Sequence, residues 1–207
     1  MSRKGGSSSR WRQRQERDPY VERAVREGWR SRAVFKLEQL QAAERFLKPA
    51  MRCVDLGASP GGWSQYAARN VGPRGRVVAL DLLPMAPIPG VEFLLGDFTS
   101  EATLAALREA LAGEPADIVM SDMAPNISGT RAVDQPRSMA LAEEALLFAT
   151  EVLRPGGTFV VKLFQGEGFQ EFVESARNRF GRVRLIKPKA SRPESREIYL
   201  LARNYGV

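Results

Sequence analysis

The stretch Val54-Asp55-Leu56-Gly57-Ala58-Ser59-Pro60-Gly61-Gly62-Trp63 constrains this chain more than any other. It leaves a short apolar run, Cys53-Val54, breaks into a glycine-rich turn, and enters the helix-compatible segment Trp63-Ser64-Gln65-Tyr66-Ala67-Ala68. Strand, glycine turn and helix start, in that order, make a nucleotide-type ligand site. Glycines let the main chain approach a ligand, and the first turn of a helix offers unpaired N–H groups. The turn is not the dinucleotide fingerprint, because Gly-x-Gly-x-x-Gly would need glycine where Ser59 stands. A nicotinamide dehydrogenase is therefore a poor fit. No phosphate-clamping lysine follows the turn, which excludes a P-loop nucleotidase.

From this turn onward the pattern alternates. Strands are expected at 52–56, 76–81, 91–95, 116–121 and 157–164, with helices at 63–71, 101–112 and 137–153 between most of them. Short, nearly all-apolar strands read as parallel and buried on both faces. The alternation is that of a doubly wound α/β fold. Upstream, Ser31 is the expected N-cap of a helix running to about 47, and Pro49 follows its end. Downstream, a helix at 168–179 leads to strands at 182–187 and 197–203. Their connection holds two prolines and no crossover helix, so the last strand is expected to run antiparallel.

The chain has 207 residues, 43% of them hydrophobic, which suits a single domain over 19–207 preceded by a basic tail. No apolar run is long enough for a transmembrane helix, and the basic, serine-rich N-terminus lacks the apolar core of a secretory signal. Cytoplasm is the expected compartment. Histidine is absent and there is one cysteine, Cys53, expected to be a buried thiol. Histidine catalysis is therefore excluded and no metal site is expected, so proton transfer falls to Asp, Glu, Lys, Tyr or Cys.

The net charge is +7. Residues 1–30 hold nine basic residues against four acidic ones, with Trp11, Tyr20 and Trp29 interleaved. Residues 1–18 show no apolar period and are expected to be disordered. Cations mixed with aromatics suit an RNA-contacting arm, because arginines meet phosphates and rings stack on bases. A solubilising tail is the plainer alternative.

Ligands of open α/β sheets bind outside the carboxyl ends of the parallel strands. The residues expected there are Asp55 and the glycine turn, Asp81, Gly96-Asp97-Phe98, Asp122-Met123-Ala124-Pro125-Asn126, and Lys162 within Phe159-Val160-Val161-Lys162-Leu163-Phe164. A carboxylate ending the second strand typically accepts hydrogen bonds from ribose hydroxyls. One ending the third can pair with an adenine amino group. A glycine turn followed by these two acids is the order of an S-adenosylmethionine site. A lysine in an apolar strand is costly unless paired or near a strand end. Asp122 at a neighbouring strand end is a natural partner for Lys162. If the last strand is antiparallel, Glu197 at its start reaches the same cleft.

At this point the chain resembles the FtsJ-like ribose 2′-O-methyltransferases, in particular the bacterial branch acting on large-subunit ribosomal RNA. The resemblance covers about residues 19–205. It is carried by Ser31-Arg32-Ala33-Val34-Phe35-Lys36-Leu37, by 55–63, by Ser121-Asp122-Met123-Ala124-Pro125-Asn126-Ile127-Ser128-Gly129, by 159–164 and by Ser191-Arg192-Pro193-Glu194-Ser195-Arg196-Glu197. It implies a Rossmann-like S-adenosylmethionine-dependent methyltransferase fold. The sheet would have seven strands, mostly parallel, with the last antiparallel and helices on both faces. It implies a tetrad of Lys36, Asp122, Lys162 and Glu197, with Lys36 coming from the resemblance alone. The implied cofactor is S-adenosylmethionine without a metal, held by Asp55, Gly57, Pro60, Gly61, Trp63, Asp81, Asp97 and Asp122. Gly61 and Trp63 would meet its methionine part.

The implied reaction is methyl transfer to a ribose 2′-hydroxyl, with Lys162 accepting the proton and neutral when it acts. Asp122 would orient it, while Lys36 and Glu197 would hold the hydroxyl. The implied partner is ribosomal RNA in the assembled large subunit, the target a uridine of the A-loop, and the working unit a monomer. A methyltransferase of small molecules or proteins, a tRNA-directed member of the family and a non-catalytic ribosome-assembly protein are the competing readings. The lack of an inserted substrate domain and the basic arm speak against the first, and the intact tetrad against the last.

Overall fold

The structure is a computed structural model that describes residues 18–125 and 128–207. Seven strands form one sheet: β1 (Arg52–Leu56), β2 (Arg76–Asp81), β3 (Val91–Leu95), β4 (Ala116–Ser121), β5 (Leu153–Phe164), β6 (Phe180–Ile186) and β7 (Glu197–Tyr205). Their spatial order is β3-β2-β1-β4-β5-β7-β6. Pairing is parallel from β3 through β5, and β7 runs antiparallel to both β5 and β6. The order reverses at β1, between β2 and β4. That is the switch point where α/β sheets open a crevice.

Alternate strand residues bury into two different cores, which is why the strands read as continuous apolar runs. Val54, Leu56, Val119, Phe159 and Val161 face α4 (Glu101–Ala110), α5 (Arg131–Val152) and α6 (Phe169–Arg177). Cys53, Val77, Ile118, Met120 and Val160 face α2 (Val34–Glu44) and α3 (Gly62–Val71). A smaller cluster of Ala24, Val34, Phe35 and Ala190, with Tyr20 and Trp29 beside it, seats α1 (Pro19–Glu27) on α2. Among the described residues no helix is long and apolar enough to cross a membrane.

Several expected boundaries move, each for a local reason. Ser31 is not an N-cap: α2 starts at Val34, its N-cap position is Ala33, and no side chain caps it. Ser31 is drawn instead against Gly62, where its Oγ would lie 2.4 Å from an added Cβ. The same helix ends at Glu44, short of 47, because Arg45 turns left-handed at φ 48°. The Gln41 side chain then holds both the N–H and the C=O of Leu47, so the segment stays packed without helix. Helix α5 begins at Arg131 and carries Pro136 within its second turn, although a proline marks a helix start more often than its interior. Strand β5 begins at Leu153, earlier than 157, through a register irregularity opposite Ala116–Ile118.

Helix α1 was not expected. Its marks are present in the sequence: Asp18 accepts the Tyr20 N–H, Pro19 opens the helix, and Gly28 ends it at φ 71°. It consumes part of the basic arm. Residues 1–17, including Trp11 and the cations around it, lie outside the described residues.

Candidate active site at the carboxyl edge of the sheet

Strand register decides which side chains meet. Lys162 stands opposite Tyr199, and Phe164 opposite Glu197, in the antiparallel β5–β7 pair. The start of β7 is therefore at the same sheet edge as the ends of β1, β4 and β5. Asp122 directly follows β4, and its N–H bonds to the Leu56 carbonyl, which fixes the chain as it leaves the sheet. Lys36 comes from the first turn of α2, across the edge.

These four residues form two lysine–carboxylate pairs. Lys162 Nζ lies 3.1 Å from Asp122 Oδ1 and donates a 2.6 Å hydrogen bond to the Asp122 carbonyl. Lys36 Nζ lies 2.7 Å from Glu197 Oε1, with both side chains nearly buried. This second contact has ion-pair distance without hydrogen-bond alignment, so Glu197 Oε1 is a buried acceptor with no hydrogen-bond donor. A carboxylate oxygen in that state, beside the Lys36 ammonium, can take a further hydrogen bond from an incoming hydroxyl.

Tyr199, which sequence reasoning passed over, joins the two pairs. Its hydroxyl donates to Asp122 Oδ1 at 2.7 Å, and Lys36 Nζ sits 5.8 Å from its ring centroid. The signal was available, since Tyr199 is two residues after Glu197 on a strand and so shares its face. Burial alone would raise the Asp122 carboxyl. The charges on Lys162 and Lys36 and the Tyr199 hydroxyl outweigh it and hold Asp122 below the ordinary carboxylate range. Burial, then the negative charges on Asp122 and Glu197, push the Tyr199 hydroxyl well above its usual value. Tyr199 is thus a fixed donor to Asp122, and Asp122 a permanent anion.

The residues expected around a cofactor occupy the adjoining mouth. Gly57 and Gly61 take φ 78° and 110°. A Cβ on Gly57 would meet the Met123 backbone at 3.0 Å, so the loops from β1 and β4 close together only over glycine. Pro60 lies exposed at the tip of the turn. Asp81 accepts the Ser59 N–H on one oxygen and the Leu83 N–H on the other, both at 2.8 Å. Each oxygen keeps a lone pair for a further donor. Asp97 accepts the N–H and the hydroxyl of Thr99 through one oxygen, and these bonds lower its carboxyl. Its other oxygen is free.

Two expected cofactor residues act through neighbours. The Trp63 ring is buried, stacks at a tilt 5.7 Å from Tyr199, and donates its indole N–H to the Ala33 carbonyl at 2.9 Å. It is a pillar between α3 and the start of α2, and any contact with a ligand falls to its backbone. Asp55 is fully buried and receives the Ser64 hydroxyl at 2.6 Å, which pins the first turn of α3 to β1.

The basic arm fares differently. Arg23 is bound to Glu27 and Glu38, Arg32 to Asp18 and the Ala190 carbonyl, and Arg30 to three main-chain carbonyls. Trp29 carries Arg69 at 4.0 Å over its ring. Most described cations and aromatics of the arm are spent inside the protein.

Comparison with known proteins gives a consistent picture. The model of the FtsJ-like methyltransferase family matches residues 29–205. Ribosomal RNA large subunit methyltransferase E of Alkalilimnicola ehrlichii is 54% identical over 200 residues, covering 97% of this chain and 96% of that protein. The protein of the same name from Pseudomonas aeruginosa is 53% identical over 199 residues, covering 96% of each. A crystal structure described as a ribosomal RNA methyltransferase of Plasmodium falciparum superposes with a TM-score of 0.78 at 30% identity, over 86% of this chain and 98% of that one.

Proposed function

The chain belongs to the FtsJ-like methyltransferase family, and from that premise we propose that it methylates a ribose 2′-hydroxyl of large-subunit ribosomal RNA, using S-adenosylmethionine as donor. The observation that carries this reading is the pair of lysine–carboxylate contacts at one strand edge, joined by Tyr199. A hydroxyl substrate needs an acceptor for its proton, a partner that orients it, and nothing else from the protein. The names and full-length coverage of the relatives support ribosomal RNA of the large subunit as substrate. The finer reading is a uridine of the A-loop in the assembled subunit, acted on by a monomer in the cytoplasm.

The cofactor mouth fits the donor. Asp81 and Asp97 offer spare acceptors at adjacent strand ends for a ribose diol and an adenine amino group, and the glycine turn lets the main chain approach alongside. The bound cofactor supplies a methyl group activated by positive sulfur. The protein's part is to hold the hydroxyl in line with that methyl and to take its proton. Lys162, held by both the carboxylate and the carbonyl of Asp122, takes the proton after its ammonium form has given one up to solvent. Glu197 accepts the hydroxyl's hydrogen bond beforehand, and Lys36 holds Glu197 in place. When bound, the donor would give its methyl to the hydroxyl oxygen and leave with the electron pair of the broken carbon–sulfur bond.

The test offers assembled large subunits, naked ribosomal RNA and tRNA as acceptors for a radiolabelled methyl donor, followed by mapping of the product. Label in the large subunit at a ribose 2′-oxygen is the expected result. Label only in tRNA, or on a base, overturns the reading.

A further inference from the structure

Arg30 was expected to belong to an RNA-binding arm, yet its guanidinium is bound to the protein's own main chain. One terminal nitrogen donates to the carbonyls of Ala86, at 2.5 Å, and Pro60, at 3.4 Å, and the other to the carbonyl of Pro87, at 2.7 Å. Its aliphatic stem covers Gly61: a Cβ there would lie 3.1 Å from Arg30 Cδ and 2.7 Å from Ile88 Cδ1. Its own backbone is anchored as well. The Arg30 N–H donates to the Gln65 side chain at 3.2 Å, and that side chain donates to the Gly28 carbonyl at 2.9 Å.

These contacts join three segments, adding to the Asp81 bonds to Ser59 and Leu83 and the Trp63 bond to Ala33. The first is the glycine turn between β1 and α3. The second is the irregular run 82–90, which follows directly from Asp81. The third is the link 28–33, which leads into the helix carrying Lys36. Run 82–90 is largely exposed and tied back by few bonds of its own, so it needs an external fastening to hold one shape. A guanidinium suits that task, because its planar fork satisfies several carbonyls at once in a fixed geometry.

We propose that Arg30 is a positioning residue for the methyl donor, which closes run 82–90 onto the glycine turn and so preforms the cofactor mouth. It touches neither the reacting atoms nor the RNA. The proposal rests on the methyl-transfer reading for what enters the mouth. The fastening itself is independent of it. Pre-ordering a loop raises affinity by sparing the ligand the cost of ordering it.

The test uses the full chain with Arg30→Met, which keeps the stem over Gly61 and removes all the donors, and with Arg30→Lys, which keeps the charge and loses the fork. S-adenosylmethionine binding is measured by calorimetry, KM for RNA and kcat by methyl transfer, and backbone exchange over 82–91 by mass spectrometry in the ligand-free protein. Arg30→Met is expected to weaken cofactor binding about tenfold, to leave KM for RNA within about twofold, and to speed exchange over 82–91. Arg30→Lys falls between it and the wild type, and carries the decision if Arg30→Met does not fold. A rise in KM for RNA with unchanged cofactor affinity and unchanged exchange overturns the proposal and returns Arg30 to the RNA surface. Unchanged values throughout overturn it too. If the unaltered protein does not bind S-adenosylmethionine, the functional reading fails, and the exchange measurement alone decides the fastening.

Discussion

Lys162 and Asp122 are joined twice, at 3.1 Å through the carboxylate and at 2.6 Å through the Asp122 main-chain carbonyl. The second bond matters as much as the first. A carboxylate alone lets a lysine swing on a flexible stem, whereas a carbonyl at the end of β4 fixes where its nitrogen sits. Removing the nitrogen should therefore leave the site's shape intact and take away the proton acceptor. Lys162→Ala is expected to lower kcat by about 10²–10⁴, the range of one general base, with cofactor affinity nearly unchanged. Single-turnover methyl transfer with saturating donor and RNA measures it, and near-normal turnover would remove Lys162 from the role.

The Lys36–Glu197 pair predicts unequal losses. Lys36→Met strips the partner from a buried carboxylate and removes one of the charges that hold Asp122 ionised. Glu197→Gln keeps an acceptor oxygen of the same size for the hydroxyl. The expectation is roughly 10²-fold loss for the first and less than about tenfold for the second. The double variant should resemble Lys36→Met alone, because residues in contact do not act additively. Additive losses would mean that the two act on separate steps.

Tyr199→Phe removes the hydroxyl that holds Asp122 Oδ1 and nothing from the packing of the ring. Losing one partner from a buried carboxylate costs about 1–3 kcal/mol in stability. A loss of activity of about tenfold should accompany it, because Asp122 then turns more freely and carries Lys162 with it. Denaturant unfolding and steady-state kinetics check the two halves. A variant as stable and as active as the parent would reduce Tyr199 to a core residue.

The sheet and the tetrad were legible because each is written in a local pattern. Strands buried on both faces are continuous apolar runs, and a helix-free link with two prolines turns the last strand round. That reversal brings Glu197 to the sheet edge at which Lys162 stands. What the sequence hid depends on pairings between distant segments. Ser31 has the chemistry of a cap, and only the approach of Gly62 diverts it. Arg23 and Arg30 read as members of an RNA-contacting arm, but their partners lie within the protein, on Glu38 and the Pro87 carbonyl among others. Trp63 reads as a ligand platform until Ala33 and Tyr199 enclose it.

With much of the arm's charge spent internally, RNA affinity should rest on cations that face outward near the site. Arg196 adjoins Glu197, is exposed, and among the described residues its guanidinium holds only the Gln165 carbonyl. RNA binding is expected to weaken steeply with salt, and Arg196→Gln to reduce the slope of log affinity against log salt by about 0.7–0.9, one phosphate's share. Filter binding across a salt series measures both. An unchanged slope would exclude Arg196 from the RNA surface, and a flat response in the parent would remove phosphate contact as the basis of binding.

Asp55 gives the protein an unusual dependence of stability on pH. It is fully buried, and one carboxyl oxygen has no hydrogen-bond partner. Burial is the main cause that pushes its carboxyl up to about 7, with the Ser64 hydroxyl pulling the other way and the charges on Asp122 and Asp81 adding to the rise. In the unfolded chain the same carboxyl titrates near about 3.9. Between those two values the folded protein holds a proton that the unfolded chain has released. Stability therefore falls as pH rises from about 4 to about 7, and on this account is level above it. Asp122 acts in the opposite sense and in a lower window: its depressed carboxyl adds stability that is lost as pH falls below the ordinary carboxylate range. Asp55→Asn keeps an oxygen acceptor for Ser64 and cannot titrate, while Asp122 is common to both proteins and drops out of their difference. The variant should gain on the parent as pH rises from 4.5 to 7.5 and then run parallel to it. Denaturant midpoints across that range decide the matter, and parallel curves from 4.5 upward would mean that Asp55 is ionised in the folded protein throughout.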